Sequence, residues 1–430
     1  MSLSILVILH ESGHFIFARI FRTRVEKFYL FFDPWFSIFK FKRGETVYGL
    51  GWLPLGGYVK ISGMIDESMD KEQLKKPPQP WEFRSKPAWQ RLLIMLGGVT
   101  VNFLLAIVLY VAILYIWGVS YLPTENVTYG ILVDSAGVEM GLQNGDKIVS
   151  VDNQKIDNFF QVMPDIILNE RKTIQIEREG KPMNIEIPRS VIPAIIKGKS
   201  VIEARIPFSP LIVNGYMKKS AAREAGVEVD DEILGVNSMS FEYYDEFSNF
   251  IKDYKGKEVT VNVRRGDEKL DIPLIVSPDG YIGITHDNRK FFEFKKIEYG
   301  FLESIPAGIK KGITTTGDYL KQFKLIFSRE TKAYESLGGF ITIGSIFPAK
   351  WDWYSFWSLT AFLSIILAIM NILPIPALDG GHVMFLLYEV VSGRKPSDKF
   401  LEYAQITGMI ILLSLLVFAN GNDIIRLFQK

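Results

Sequence analysis

Four apolar stretches set the first limit on this chain, because about 20 predominantly apolar residues suffice to cross a bilayer as a helix. The clearest is residues 92–119, LLIMLGGVTVNFLLAIVLYVAILYIWGV. Two more cover 356–373 and 406–419, and a shorter one covers 3–21. This last stretch contains His10, Glu11, His14 and Arg19. Ionisable groups within a span are costly and mark a functional site by default. A cleavable leader can also begin this way, but HESGH interrupts the apolar run and no small-x-small cleavage site follows.

Basic residues assign the sides of the membrane. They crowd the connection from Arg19 to Arg91, with Lys71, Lys75 and Lys76 among them, and recur at Arg394, Lys395 and Lys399. The positive-inside rule makes both connections cytoplasmic, so both termini and residues 120–355 are expected outside. With 49 basic against 48 acidic residues, nothing implies a nucleic-acid partner. The chain has no cysteine, which excludes disulfides, thiolate-bound zinc and thiol nucleophiles.

The long middle region contains an internal repeat. GLQNGDKIVSVD (141–152) returns as GVEVDDEILGVN (226–237), with Gly141, Asp146, Ile148 and Val151 displaced by the same 85 residues to Gly226, Asp231, Ile233 and Val236. Each copy joins a polar turn to an alternating strand, and β-rich stretches such as KEVTVNVR (257–264) follow. The copies resemble PDZ domains, modules that commonly bind a peptide by adding it to a sheet edge. A purely steric role stays open. Beyond them, 291–327 has an amphipathic helical pattern that fits either a helix on the membrane surface or a packed one.

His10-Glu11-Ser12-Gly13-His14 is an HExxH motif. Residues four apart share a helix face, so both imidazoles can reach one ion with Glu11 beside it as a base. Hydrolytic zinc takes three protein ligands and leaves a position for water. No histidine follows closely on His14, so the third ligand must come from afar. The best candidate is Asp379 in Asn371-Ile-Leu-Pro-Ile-Pro-Ala-Leu-Asp-Gly-Gly-His382, where Pro374 and Pro376 break the third span. His382 is a rival for ligation or a partner that orients Asp379. His286 reads as an ordinary surface or strand-end residue.

HExxH in the first span, NxxPxxxLDGGH by the third, and tandem PDZ-like copies between the second and third together resemble the site-2 protease family, in particular its bacterial regulator-of-sigma-E type. The likeness runs through the whole chain, to FANGND at 418–423. It implies an intramembrane zinc metalloprotease with Zn2+ on His10, His14 and Asp379, Glu11 as catalytic base, and Asn371 contacting substrate or its oxyanion. It also implies that YGLGWLPLGGYVKI (48–61), with Gly56 and Gly57, is a membrane-associated β-loop that pairs with substrate. The expected substrates are single-span membrane proteins, such as anti-sigma-factor-like regulators after a first extracytoplasmic cut, and remnant signal peptides. The expected location is the bacterial inner membrane.

The expected fold class is membrane α-helical, with four transmembrane helices and the β-loop, plus two extracytoplasmic α+β PDZ-like domains. The boundaries are 1–121, 122–206 and 207–290 for the two PDZ-like copies, 291–355, and 356–430. Three features depart from the family pattern. Only nine residues precede His10, which points to a truncated or misassigned start. Ser12 replaces a bulky apolar residue, and Phe340 stands where relatives place proline. A rival from another class is a catalytically silent scaffold that holds exported peptide tails, but it has no use for Glu11 between two metal-spaced histidines. A di-metal or iron site lacks the carboxylates it needs.

Overall fold

The polar interruption at residues 10–14 does not break the first helix. In the computed structural model, which describes residues 1–64, 77–196, 201–326 and 338–428, α1 runs without a break over Ser2–Ile20. Its 19 residues reach roughly 28 Å at 1.5 Å per residue, close to the thickness of the hydrocarbon layer. Lys71, Lys75, Lys76, Phe327 and Leu337 lie outside the described residues.

The β structure after α1 is longer than the β-loop expected at 48–61. β1 (Val25–Arg43) and β2 (Thr46–Ile61) form a ribbon that folds back on itself. Residues 57–61 run antiparallel to 25–30, 46–50 run antiparallel to 39–43, and 47–50 also lie in step beside 27–30. The segment order is therefore 57–61, 25–30, 46–50, 39–43, with 57–61 along one edge. At the far bend Trp35 and Phe36 stack on Trp52, and Trp35 is 90% exposed.

α2 (Ala88–Trp117) packs against α1 and against two helices from the end of the chain. It meets α1 where glycines face each other: a Cβ on Gly13 would lie 2.3 Å from the Gly97 carbonyl oxygen. Further along α2, Val111 and Ile107 receive Gly308 and Gly312 of α3 (Phe301–Ile326), so the amphipathic segment left open above packs on a long apolar helix. α4 (Phe340–Ser345) is short. Asp423 accepts from the amides of Gly339 and Thr342 at its start, at 2.9 and 3.0 Å. α5 (Trp353–Ile372) ends before the double-proline loop, α6 (Asp379–Ser392) begins at the aspartate, and α7 (Asp398–Phe428) closes the chain. A partly buried ion pair, Arg91 with Glu389, ties α2 to α6.

Among the described residues, four helices are long and apolar enough to cross a membrane: Ser2–Ile20, Ala88–Trp117, Trp353–Ile372 and Lys399–Phe428. α7 leaves Ile410, Leu413 and Val417 exposed, a face suited to lipid. The described residues 1–64, 77–118, 298–324 and 338–428 form one compact unit.

The second unit is built from the described residues 119–196 and 201–297. Val119–Tyr121 and Lys295–Ile297, near the ends of its main segment, pair antiparallel, so the chain enters and leaves this unit side by side. The duplication appears here as duplicated structure. Lys147–Val151, Thr173–Arg178 and Lys181–Glu186 form one sheet; Glu232–Val236, Glu258–Arg265 and Glu268–Ile275 form its counterpart, with Leu211–Ile212 added. Each copy has its own apolar core, around Ile148, Val151 and Ile176 in the first and around Ile233, Val236 and Val261 in the second.

Each copy also carries the same arginine latch. Arg178 donates to both Asp146 carboxylate oxygens at 2.7 Å and to the Gly141 carbonyl at 2.9 Å. Arg265 makes the same three bonds, to Asp231 and Gly226, each at 2.8 Å. Burial alone would raise the Asp231 carboxyl, but Arg265 and the Glu228 amide outweigh it and hold it below the usual carboxylate range. A carboxyl lowered in the folded state stabilises above its unfolded pKa of about 4 and loses that contribution as pH falls through the folded value. Arg265→Leu is therefore expected to lower the thermal stability of the second copy at neutral pH and to weaken its acid dependence below pH ~4. Hydrogen exchange resolved over residues 205–290 at pH 7 and pH 4 measures both effects, and unchanged protection at both would contradict the latch.

Candidate metal centre

The histidines of α1 face α2 and the start of α6. His10 and His14 are 7% and 6% exposed, far below what an imidazole on a lipid-facing surface would show. His10 Nε2 lies 3.2 Å from His14 Nε2, and Asp379 Oδ2 lies 3.1 and 3.2 Å from these two nitrogens. Three donor atoms about 2.0–2.1 Å from a tetrahedral metal stand roughly 3.3–3.4 Å apart, so this near-equilateral triangle is of the right size. Asp379 Oδ2 is buried with no hydrogen-bond partner. A buried, unpaired carboxylate oxygen is costly, and a cation between the three atoms would satisfy it. Two imidazoles and one carboxylate are also the donor set of a hydrolytic zinc site. The residues fit the ion.

The sequence brings these atoms together by three local devices. Helical spacing stacks His10 over His14 on α1. The proline pair ends α5 and lets Asp379 open α6. The loop between them is held from α7, where Gln405 accepts from the Ala377 amide at 3.2 Å. Ala377 has φ of 80°, a left-handed backbone that costs a non-glycine residue roughly 1–2 kcal/mol. Strain of this kind persists where its surroundings enforce it.

Of the other expected site residues, Asn371 in the last turn of α5 places Nδ2 3.2 Å from His10 Nε2. Glu11 faces β2, and the Val59 amide hydrogen-bonds its carboxylate. Gly57 is close by: a Cβ there would lie 3.6 Å from Glu11 Cγ and 2.8 Å from a Val7 methyl. Gly56 is one residue further from this contact and faces the Phe32 ring. A cleft of about 590 Å³ runs between the ribbon and the triangle, lined by Glu11, Gly57, Tyr58, Leu53, His382 and Gln405 among others. His382 thus lines the cleft but is absent from the ligand cluster among the described residues. His286 follows the short strand Ile284–Thr285 in the second unit, its ring 4.4 Å from that of Tyr244.

Sequence reasoning missed the contribution of α2. Ile94, Gly98 and Asn102, spaced by four, form one stripe against the two imidazoles. His14 Nδ1 donates to the Ile94 carbonyl at 2.9 Å, and the Asn102 amide lies 3.2 Å from His10 Nδ1. A Cβ on Gly98 would sit 2.5 Å from His14 Nε2 and 2.6 Å from His10 Cε1. Asn102, a polar side chain in the most apolar run of the chain, was the available signal.

Apolar helices surrounding a two-histidine, one-carboxylate triangle, with a glutamate beside it, define a membrane protein with a hydrolase-type metal centre. The chain belongs to peptidase family M50, whose sequence profile matches residues 1–415. It is 28% identical over 450 residues to the regulator of sigma E protease of Haemophilus influenzae, covering 99% of this chain and 98% of that protein. A Campylobacter jejuni protein with a provisional zinc metalloprotease name is 32% identical over 433 residues, covering 100% and 92%. A Vibrio cholerae protein with a similar provisional name is 28% identical over 460 residues, covering 99% and 97%.

The stripe on α2 yields a test. Gly98→Ala forces a methyl group against both imidazoles, and overpacking of this kind costs about 1–3 kcal/mol, or roughly 5- to 150-fold in affinity where it falls on a binding geometry. Zinc affinity by chelator competition is expected to fall within that range, while helix content by circular dichroism stays at the wild-type value.

Proposed function

We propose that this zinc metalloendopeptidase cuts peptide bonds within the transmembrane segments of single-span membrane proteins and remnant signal peptides. The observation that carries this reading is the triangle of His10, His14 and Asp379 beside Glu11, opening on a cleft walled by a sheet edge. In this reading His10, His14 and Asp379 hold Zn2+. Zinc bound there would supply Lewis acidity and lower the pKa of a water to about 7.

The chain's own residues do the rest. Glu11 takes a proton from the attacking water and returns it to the departing amine. Asn371 faces the same space and hydrogen-bonds either the substrate backbone or the oxygen on which charge develops. The substrate must first lose its helix, since each carbonyl of a membrane helix is held by an internal hydrogen bond. The 57–61 edge offers replacements: an extended segment laid along it would find strand partners within reach of Glu11. Gly56 and Gly57 leave room for that segment: Gly57 puts no side chain beside Glu11, and Gly56 puts none beside the Phe32 ring.

The remaining assignments follow the same line. The four apolar helices are the four spans, both termini and the two repeats are extracytoplasmic, and the site lies toward the cytoplasmic side of a bacterial inner membrane. The repeats are PDZ-like domains at 122–206 and 207–290. They act mainly as a size filter that admits a substrate once its exported part has been shortened.

Two measurements test this. Glu11→Gln should keep wild-type zinc content in detergent and lose about 10²- to 10⁴-fold in cleavage of a membrane peptide; retained cleavage removes Glu11 from its role. A single span fused to exported domains of increasing size should be cut more slowly as the domain grows. Equal rates for bulky and trimmed fusions would end the size-filter idea and leave the protease assignment standing.

A further inference from the structure

A metal held through an imidazole Nε2 leaves the ring proton on Nδ1, and that proton needs an acceptor. His14 has one that admits no ambiguity: the Ile94 carbonyl at 2.9 Å can only accept, so His14 carries its proton on Nδ1 and turns a bare Nε2 toward Asp379. Among the described residues, no carbonyl is hydrogen-bonded in the equivalent place on His10. The group 3.2 Å from its Nδ1 is the side-chain amide of Asn102, eight residues beyond Ile94 on α2.

Asn102 is built in firmly. It is 0% exposed, and its backbone carbonyl accepts from Ser364 Oγ of α5 at 2.8 Å. With the amide nitrogen turned to His10, the Asn102 oxygen is buried without any partner. Turning the amide over brings that oxygen onto His10 Nδ1, where it can accept the proton. The other orientation would have the amide donate to Nδ1 and move the His10 proton to Nε2, the atom that faces Asp379 and His14. A buried asparagine among leucines and valines is costly unless its polar atoms are used.

We propose that Asn102 is the positioning residue of His10, accepting the Nδ1 proton through Oδ1 and so keeping the Nε2 lone pair aimed at the ligand triangle. α2 then supplies the proton acceptor for both metal-facing imidazoles, one from its backbone and one from a side chain. The inference rests on the zinc reading above and goes beyond it by assigning a residue outside both sequence motifs.

The test uses the full chain in detergent. Zinc affinity is measured by chelator competition for wild type, Asn102→Leu and Asn102→Asp. The leucine variant, of similar size with no acceptor, is expected to bind zinc about 10- to 100-fold more weakly. The aspartate variant keeps an acceptor oxygen and is expected to recover most of that loss. Equal affinity in the leucine variant and wild type would overturn the proposal, as would equal loss in both variants. Nitrogen-15 correlation spectra of zinc-loaded wild type give a readout that needs no variant: His10 Nδ1 should carry the proton, and a bare Nδ1 would overturn the assignment. A wild-type chain that does not bind zinc would instead overturn the metal reading itself, and this inference with it.

Discussion

The feature on which the membrane-embedded unit depends is the close approach of α1 to α2 at Gly13 and Gly97. It brings two imidazoles within an apolar bundle against a helix that has room for them only because position 98 lacks a side chain. Burying two histidines and an aspartate away from water would be strongly unfavourable on its own. A cation shared by the three would offset that cost, which is why the geometry and the proposed chemistry cannot be separated here. The same contact fixes the ring planes, since α2 holds both Nδ1 atoms while Asp379 faces both Nε2 atoms.

What could be read from the sequence was whatever a period or a broken period reveals. HESGH stood out because charges interrupt an apolar run, and helical spacing put both histidines on one face. Asp379 stood out because two prolines end a span beside it. The repeat stood out because identical residues return at a constant offset. The parts that stayed hidden have no period. Gly98 leaves no mark in a hydrophobic pattern, and Asn102 acts on a histidine 92 residues away. The arginine latches escaped notice because Arg178 and Arg265 do not share the offset of the carboxylates they hold, two extra residues in the second copy having entered the connection to the strand that carries the arginine. The ribbon was only half visible, since the fold that places 57–61 at an edge depends on β1 pairing on two sides at once.

The edge and Glu11 share one wall of the cleft, and in the proposed reaction this arrangement bears on how a membrane helix is handled. An unpaired strand edge is a hazard in most proteins, because it invites any extended chain. Here Glu11 lies against Val59, within the edge strand, with strand residues continuing on either side of that contact. A segment laid along the edge would therefore be held by backbone bonds on both flanks while its central peptide faces the glutamate and the ligand triangle. In the proposed reaction this solves two problems with one surface. It replaces the hydrogen bonds lost when the helix unwinds, and it presents the scissile bond in extended form. Gly57 matters for the same reason, because a Cβ there would come within 2.8 Å of both the Tyr29 carbonyl oxygen and a Val7 methyl and so push the edge strand away from α1, which carries Glu11.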